Sequence, residues 1–84
     1  MKVHPDIVCR RLGEAAVLVD LTTSQVFELN ATGYRVWQLL GEGLDVDAIR
    51  DRLLGEFDVE RARLDREMSD LLEALERQGL IVEG

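Results

Sequence analysis

Asn30 divides the chain into two stretches with different hydrophobic periods, and few folds accommodate that division. Before it lie short β-favouring runs separated by turn residues; after it, apolar residues recur every three or four positions. Ile7-Val8-Cys9-Arg10 reads as a strand and Gly13-Glu14 as a turn. Ala15-Ala16-Val17-Leu18-Val19 is a continuous apolar run, the pattern of a central strand buried on both faces. Asp20 to Ser24 is polar enough for a tight connection, and Gln25-Val26-Phe27-Glu28-Leu29 reads as a third strand of mixed polarity. Short links between three short strands predict an antiparallel meander.

Beyond Asn30, an N-cap residue type, Val36, Trp37 and Leu40 fall on one face of a first helix that Gly41 and Gly43 end. Asp45 is the next cap, with Val46, Ile49, Leu53 and Phe57 on one stripe behind it. The third helix, residues 61–78, carries Leu64, Met68, Leu71, Leu72 and Leu75 on its apolar face. It also pairs Glu73 with Arg77 at i,i+4. Gly79 stops it, and Leu80-Ile81-Val82 can pack back as a terminal strand. The expected fold is α+β and winged-helix-like: a three-stranded antiparallel sheet followed by three helices, βββααα. A length of 84 residues predicts one domain, 1–84, with no room for a second core.

Charge narrows the function. The 17 acidic and 10 basic residues give a net charge of −7, and residues 43–84 contribute −6 of it. Such a surface repels phosphate backbones, so nucleic acid is not an expected partner, and no helix in the second half is basic enough for recognition. No apolar run is long enough to span a membrane, and the first residues lack the pattern of a signal peptide. The single cysteine fits a reducing, cytoplasmic setting.

Side-chain catalysis is not expected. The one His, one Cys and one Tyr lie in different elements. His4 belongs to a terminus expected to fray, and a general base must be held in reach of its proton. Cys9 sits in an apolar strand and reads as a structural thiol. His4, Asp6 and Cys9 are too few and too crowded for a metal site, so neither a metal nor a cofactor is expected. The carboxylates of the third helix alternate with Arg, as on a solvated face. Trp37 reads as core and Tyr34 as the edge of the same face. What does stand out is the third strand, an edge without Pro or Lys and guarded only by Glu28. An unprotected edge is either a docking place for another extended chain, or for a second copy in a weak homodimer, or simply a short edge left open because it is too short to aggregate.

The ordered set Leu29-Asn30, Val36-Trp37, Gly41 to Gly43, Val46, Phe57-Asp58-Val59 and Leu75 to Ile81 resembles the PqqD-like proteins over residues 8–82. These are the peptide-recognition elements of ribosomally synthesised, post-translationally modified peptide biosynthesis. The spacing from Asn30 to Trp37 looks most like standalone members of lasso-peptide pathways. The resemblance implies a non-catalytic adaptor, which binds the leader region of a precursor peptide as an antiparallel strand on its third strand, beside its third helix. Gln25, Val26, Phe27, Glu28, Glu67, Met68, Leu71 and Leu75 are then the expected contacts. The implied second partner is a maturation enzyme, either a leader peptidase or a radical S-adenosylmethionine enzyme. A helix-face interaction subunit and a winged-helix DNA-binding protein are the competing readings.

Overall fold

The computed structural model describes residues 2–82. The order is β1 (Lys2–Val3), β2 (Ile7–Leu12), β3 (Ala15–Asp20), β4 (Val26–Leu29), α1 (Ala31–Gly41), α2 (Val46–Glu56), α3 (Arg61–Arg77) and β5 (Ile81–Val82). Three antiparallel strands in the order β2-β3-β4 precede three helices, the expected α+β arrangement. The predicted third strand is therefore β4. It begins one residue later than expected, at Val26.

Turn chemistry sets the meander. Gly13, at φ +65°, opens the β2–β3 hairpin in a conformation that costs a residue without Cβ little. The β3–β4 connection is organised by Asp20. Its carboxylate accepts from the N–H of Thr22 at 2.8 Å and of Thr23 at 3.3 Å, and its own N–H donates to the Gln25 carbonyl at 2.9 Å. Asp20 is only 7% exposed, so the sequence expectation of a plain polar connection is corrected: the acid is buried and satisfied by local backbone.

The central strand also departs from expectation. Along β3, Ala16, Leu18 and Asp20 are buried while Ala15, Val17 and Val19 are only half-buried. One face meets α1 and the core; the other does not, so burial on both faces is not realised. An apolar run cannot report which of its faces is covered, because β-branched residues suit an open face as well as a closed one.

α1 and α2 start at side-chain caps, whereas α3 starts after Glu60 without one. The Asn30 carboxamide oxygen accepts from the Gly33 N–H at 2.8 Å, and the Asp45 carboxylate from the Ala48 N–H at 2.8 Å. Val36, Trp37, Leu39 and Leu40 of α1, Ile49 and Leu53 of α2, and Leu64, Met68, Leu72 and Leu75 of α3 form one core with Ala16, Leu18 and Leu29. Two ion-pair groups brace the helices at its rim. Arg35 grips Glu56 through two bonds of 2.8 and 2.9 Å, and Arg50 reaches Asp47 at 2.6 Å and Asp65 at 3.4 Å.

The N-terminal segment is not frayed. β1 and β5 pair antiparallel, Lys2 opposite Val82 and Val3 opposite Ile81, and the His4 N–H donates to the Leu80 carbonyl at 3.0 Å. Among the described residues no helix is long and apolar enough to cross a membrane.

Candidate functional site: an open strand edge beside a groove

β4 has a partner on one side only. In an antiparallel ladder, opposed residues alternate between pairs that exchange both backbone hydrogen bonds and pairs that exchange none. The Asp20 to Gln25 bond fixes that alternation. With Leu18 opposite Phe27 and Ala16 opposite Leu29, the backbone groups of Phe27 and Leu29 are spent on β3. Those of Val26 and Glu28 therefore point outward, one N–H and one C=O each, ready for a further strand.

Side chains follow the same parity. Leu29 is buried and Phe27 half-buried on the core side, while Val26 (59% exposed) and Glu28 stand on the open side. Beside the edge runs a groove of about 300 Å³, walled by β4 and α3 and closed at its base by the first turns of α1. Phe27, Leu29, Val36, Met68 and Leu71 supply its apolar surface; Glu28, Glu67 and Asp70 stand at its rim. α1 keeps the walls apart, since it packs against both β4 and α3.

Of the expected contacts, Phe27, Glu28, Glu67, Met68 and Leu71 meet in this groove. Val26 and Gln25 do not line it; Val26 contributes edge backbone, and Gln25 precedes β4 with its carbonyl already bound to Asp20. Leu75 is corrected: it is 0% exposed and supports the groove from within the core, one helical turn past Leu71. Sequence reasoning missed Leu29, Asn30, Thr32, Gly33, Val36 and Asp70. One signal was available: Asn30 follows the edge strand directly, so the first turn of α1 has to abut that edge. Gly33 is part of this close fit, because a Cβ there would lie 3.2 Å from the Asn30 Oδ1 and 3.3 Å from Leu29 Cδ2.

The reactive residue types lie elsewhere. Burial pushes the Cys9 thiol up, away from the thiolate a nucleophile needs. The Tyr34 hydroxyl accepts from the Gln38 side-chain amide at 3.3 Å, and the Arg11 guanidinium sits 5.7 Å from the centre of its ring. None of Cys9, Tyr34, Gln38 and Arg11 lines the groove, which offers free backbone groups, apolar surface and carboxylates.

Comparison with known proteins agrees with this anatomy. The family model for coenzyme PQQ synthesis protein D (PqqD) matches residues 15–81. No curated protein sequence matches the chain. Among solved structures, TbiB1 in complex with the TbiA(beta) leader peptide is 33% identical with a TM-score of 0.88, covering 100% of this chain and 98% of that one. A lasso peptide synthetase B1 complexed with the leader peptide shares the fold at 24% identity and a TM-score of 0.83, covering 98% and 96%. The family match spans the central strand, the open edge and all three helices, and on it the chain belongs to the PqqD family.

Proposed function

We propose that this protein is a non-catalytic adaptor that captures the leader segment of a ribosomal precursor peptide by strand addition to β4 and presents it to a maturation enzyme, the leader peptidase of a lasso-peptide pathway. The observation that carries this reading is the coincidence of the free Val26 and Glu28 backbone groups with the groove beside them. Backbone pairing gives affinity regardless of sequence, and alternate side chains dropping between β4 and α3 give selectivity. Phe27, Met68 and Leu71 are the proposed apolar contacts.

Energetics require both parts. A disordered segment loses conformational entropy on binding, and hydrogen bonds exchanged with water return only about 1 kcal/mol each. Apolar anchors must offset the remainder. Support comes from TbiB1, whose structure includes a leader peptide and 98% of whose length this chain covers.

Hydrogen exchange in the presence of the TbiA(beta) leader peptide tests the proposal. Saturable binding that protects the Val26 and Glu28 amides, and leaves the α2 amides unchanged, is the expected result. Saturable binding that leaves both strand amides as fast as in the free protein would overturn strand addition.

A further inference from the structure

The groove is apolar in its depth and acidic at its rim, and the rim is short of cations. Glu67 and Asp70 stand on the helix side; Glu28 borders the groove from the edge strand, with its side chain on the open face of the sheet. Glu67 shares an exposed contact with Arg63 at 3.2 Å, but among the described residues no ion pair involves Glu28 or Asp70. No Lys or Arg lines the groove. On the open face of the sheet, Glu28 and Arg10 flank Val17 from opposite sides, so the nearest cation of that row is two strand spacings away, roughly 10 Å.

A strand added to β4 inherits its parity. Side chains facing the core side enter the groove over Met68 and Leu71; the intervening ones line up with Val26 or Glu28 on the open face. The residue directly opposite Glu28 has its Cβ about 5 Å away, close enough for opposite charges to favour pairing and like charges to oppose it. On the helix side, a long basic side chain can lay its methylenes along Leu71 and carry its charge to Asp70.

We infer that the rim of Glu28, Glu67 and Asp70 selects, among extended segments, one with Lys or Arg interleaved with its apolar anchors, and rejects an acidic one. This inference rests on strand addition at β4. The apolar groove supplies affinity and the rim supplies discrimination, the division expected where charges are exposed and pairing is modest.

A displayed peptide library, fixed as Leu or Val at two anchor positions of one parity and randomised at every other position, samples both the open-face and the groove-facing sites and separates the two ideas. The wild-type protein should enrich Lys and Arg over Asp and Glu at randomised positions several-fold at low salt, less at high salt. A Glu28→Lys/Asp70→Lys protein should reverse that preference. Glu42→Lys/Asp51→Lys, the same charge change at exposed sites outside the groove, should keep it, which controls for net charge. Charge-neutral enrichment, or a preference that both double variants change alike, overturns selection by the rim while leaving strand addition standing. If the wild-type protein enriches no clones, both fail. If a folded Val26→Pro protein enriches the same clones as wild type, strand addition fails and the groove alone carries the binding.

Discussion

The Asp20 N–H bonds the Gln25 carbonyl at 2.9 Å, and this one contact decides which backbone groups of the edge strand face solvent. A slip of one residue would turn Val26 and Glu28 inward and Phe27 outward, exchanging both the free hydrogen-bonding groups and the side-chain faces. The buried Asp20 carboxylate, clamped on Thr22 and Thr23, holds the turn that prevents such a slip.

Proline substitution should therefore depend on parity. Val26→Pro removes an outward N–H and should abolish leader binding while the domain stays folded; Val26→Thr keeps the N–H and should bind nearly as wild type. Phe27→Pro instead deletes a ladder bond to Leu18 and should lower the melting temperature. Circular dichroism with fluorescence-anisotropy titration checks all three, and unchanged affinity in folded Val26→Pro would contradict an edge-strand site.

Leu71 is half-buried at the groove, unlike its fully buried neighbour Leu75. Leu71→Asp should weaken peptide binding at least tenfold, since the charge must be desolvated beneath the bound segment. Leu75→Ala should instead act through the fold, costing about 2–5 kcal/mol in urea unfolding. Equal losses of stability in the two variants would remove the distinction.

Trp37 is 8% exposed and packs in the core from α1. Trp37→Ala should cost about 3–5 kcal/mol, a large share of the total for a domain of this size. The thermal midpoint should fall by more than about 10 °C, or the transition should be lost. A midpoint within a few degrees of wild type would show that the ring is not a core element.

Asn30 caps α1 through the Gly33 N–H and stands on the groove. Asn30→Ala should cost about 1 kcal/mol, and Asn30→Asp should restore it. Gly33→Ala, a change worth about 1 kcal/mol in helix propensity at an open site, should give no gain here because its Cβ meets Asn30 and Leu29. Denaturant midpoints of the three variants decide.

Among the described residues, two carboxyls titrate below their ordinary range in the folded protein: Asp20, chiefly through the Thr22 N–H, and Glu56, chiefly through the Arg35 guanidinium. A group whose folded pKa is depressed adds stability above its unfolded value, about 4 for a carboxyl, and loses it as pH falls through the folded value. Stability should be level near neutrality and decline below about pH 4. Asp20→Asn should make that acid decline shallower, and an acid limb parallel to wild type would contradict the assignment.

Much of this was legible in the sequence because the signals were local. The caps at Asn30 and Asp45, the stripe of Leu64, Met68, Leu72 and Leu75, and the turn at Gly13 each depend on neighbours within a few residues. Of the β1–β5 pair, the terminal strand after Gly79 was expected, but its partner β1 was not, since a two-residue strand has no period to detect. Asp20 looked like loop because burial of an acid depends on N–H groups that only the folded turn aims at it. At the candidate site, Phe27, Glu28, Met68 and Leu71 were expected from the family resemblance, with an unguarded edge and an apolar stripe pointing the same way, and the fold brings them to one groove. Leu75 was misassigned because spacing alone cannot separate the buried centre of a stripe from its margin. Asn30 and Gly33 were legible as a helix start but not as a groove wall, which depends on how α1 sits between β4 and α3.

Lys2 opposite Val82 brings the two ends of the described chain to one strand spacing, roughly 5 Å. Topologically the domain is nearly a closed ring. A few linking residues between these ends would add little loop-closure entropy, and new ends opened at the exposed Gly13-Glu14 hairpin would cut no helix and leave β4 whole. The same geometry allows the unit to be spliced into a surface loop of another protein, entering and leaving at nearly one point, so that its binding edge travels as a cassette.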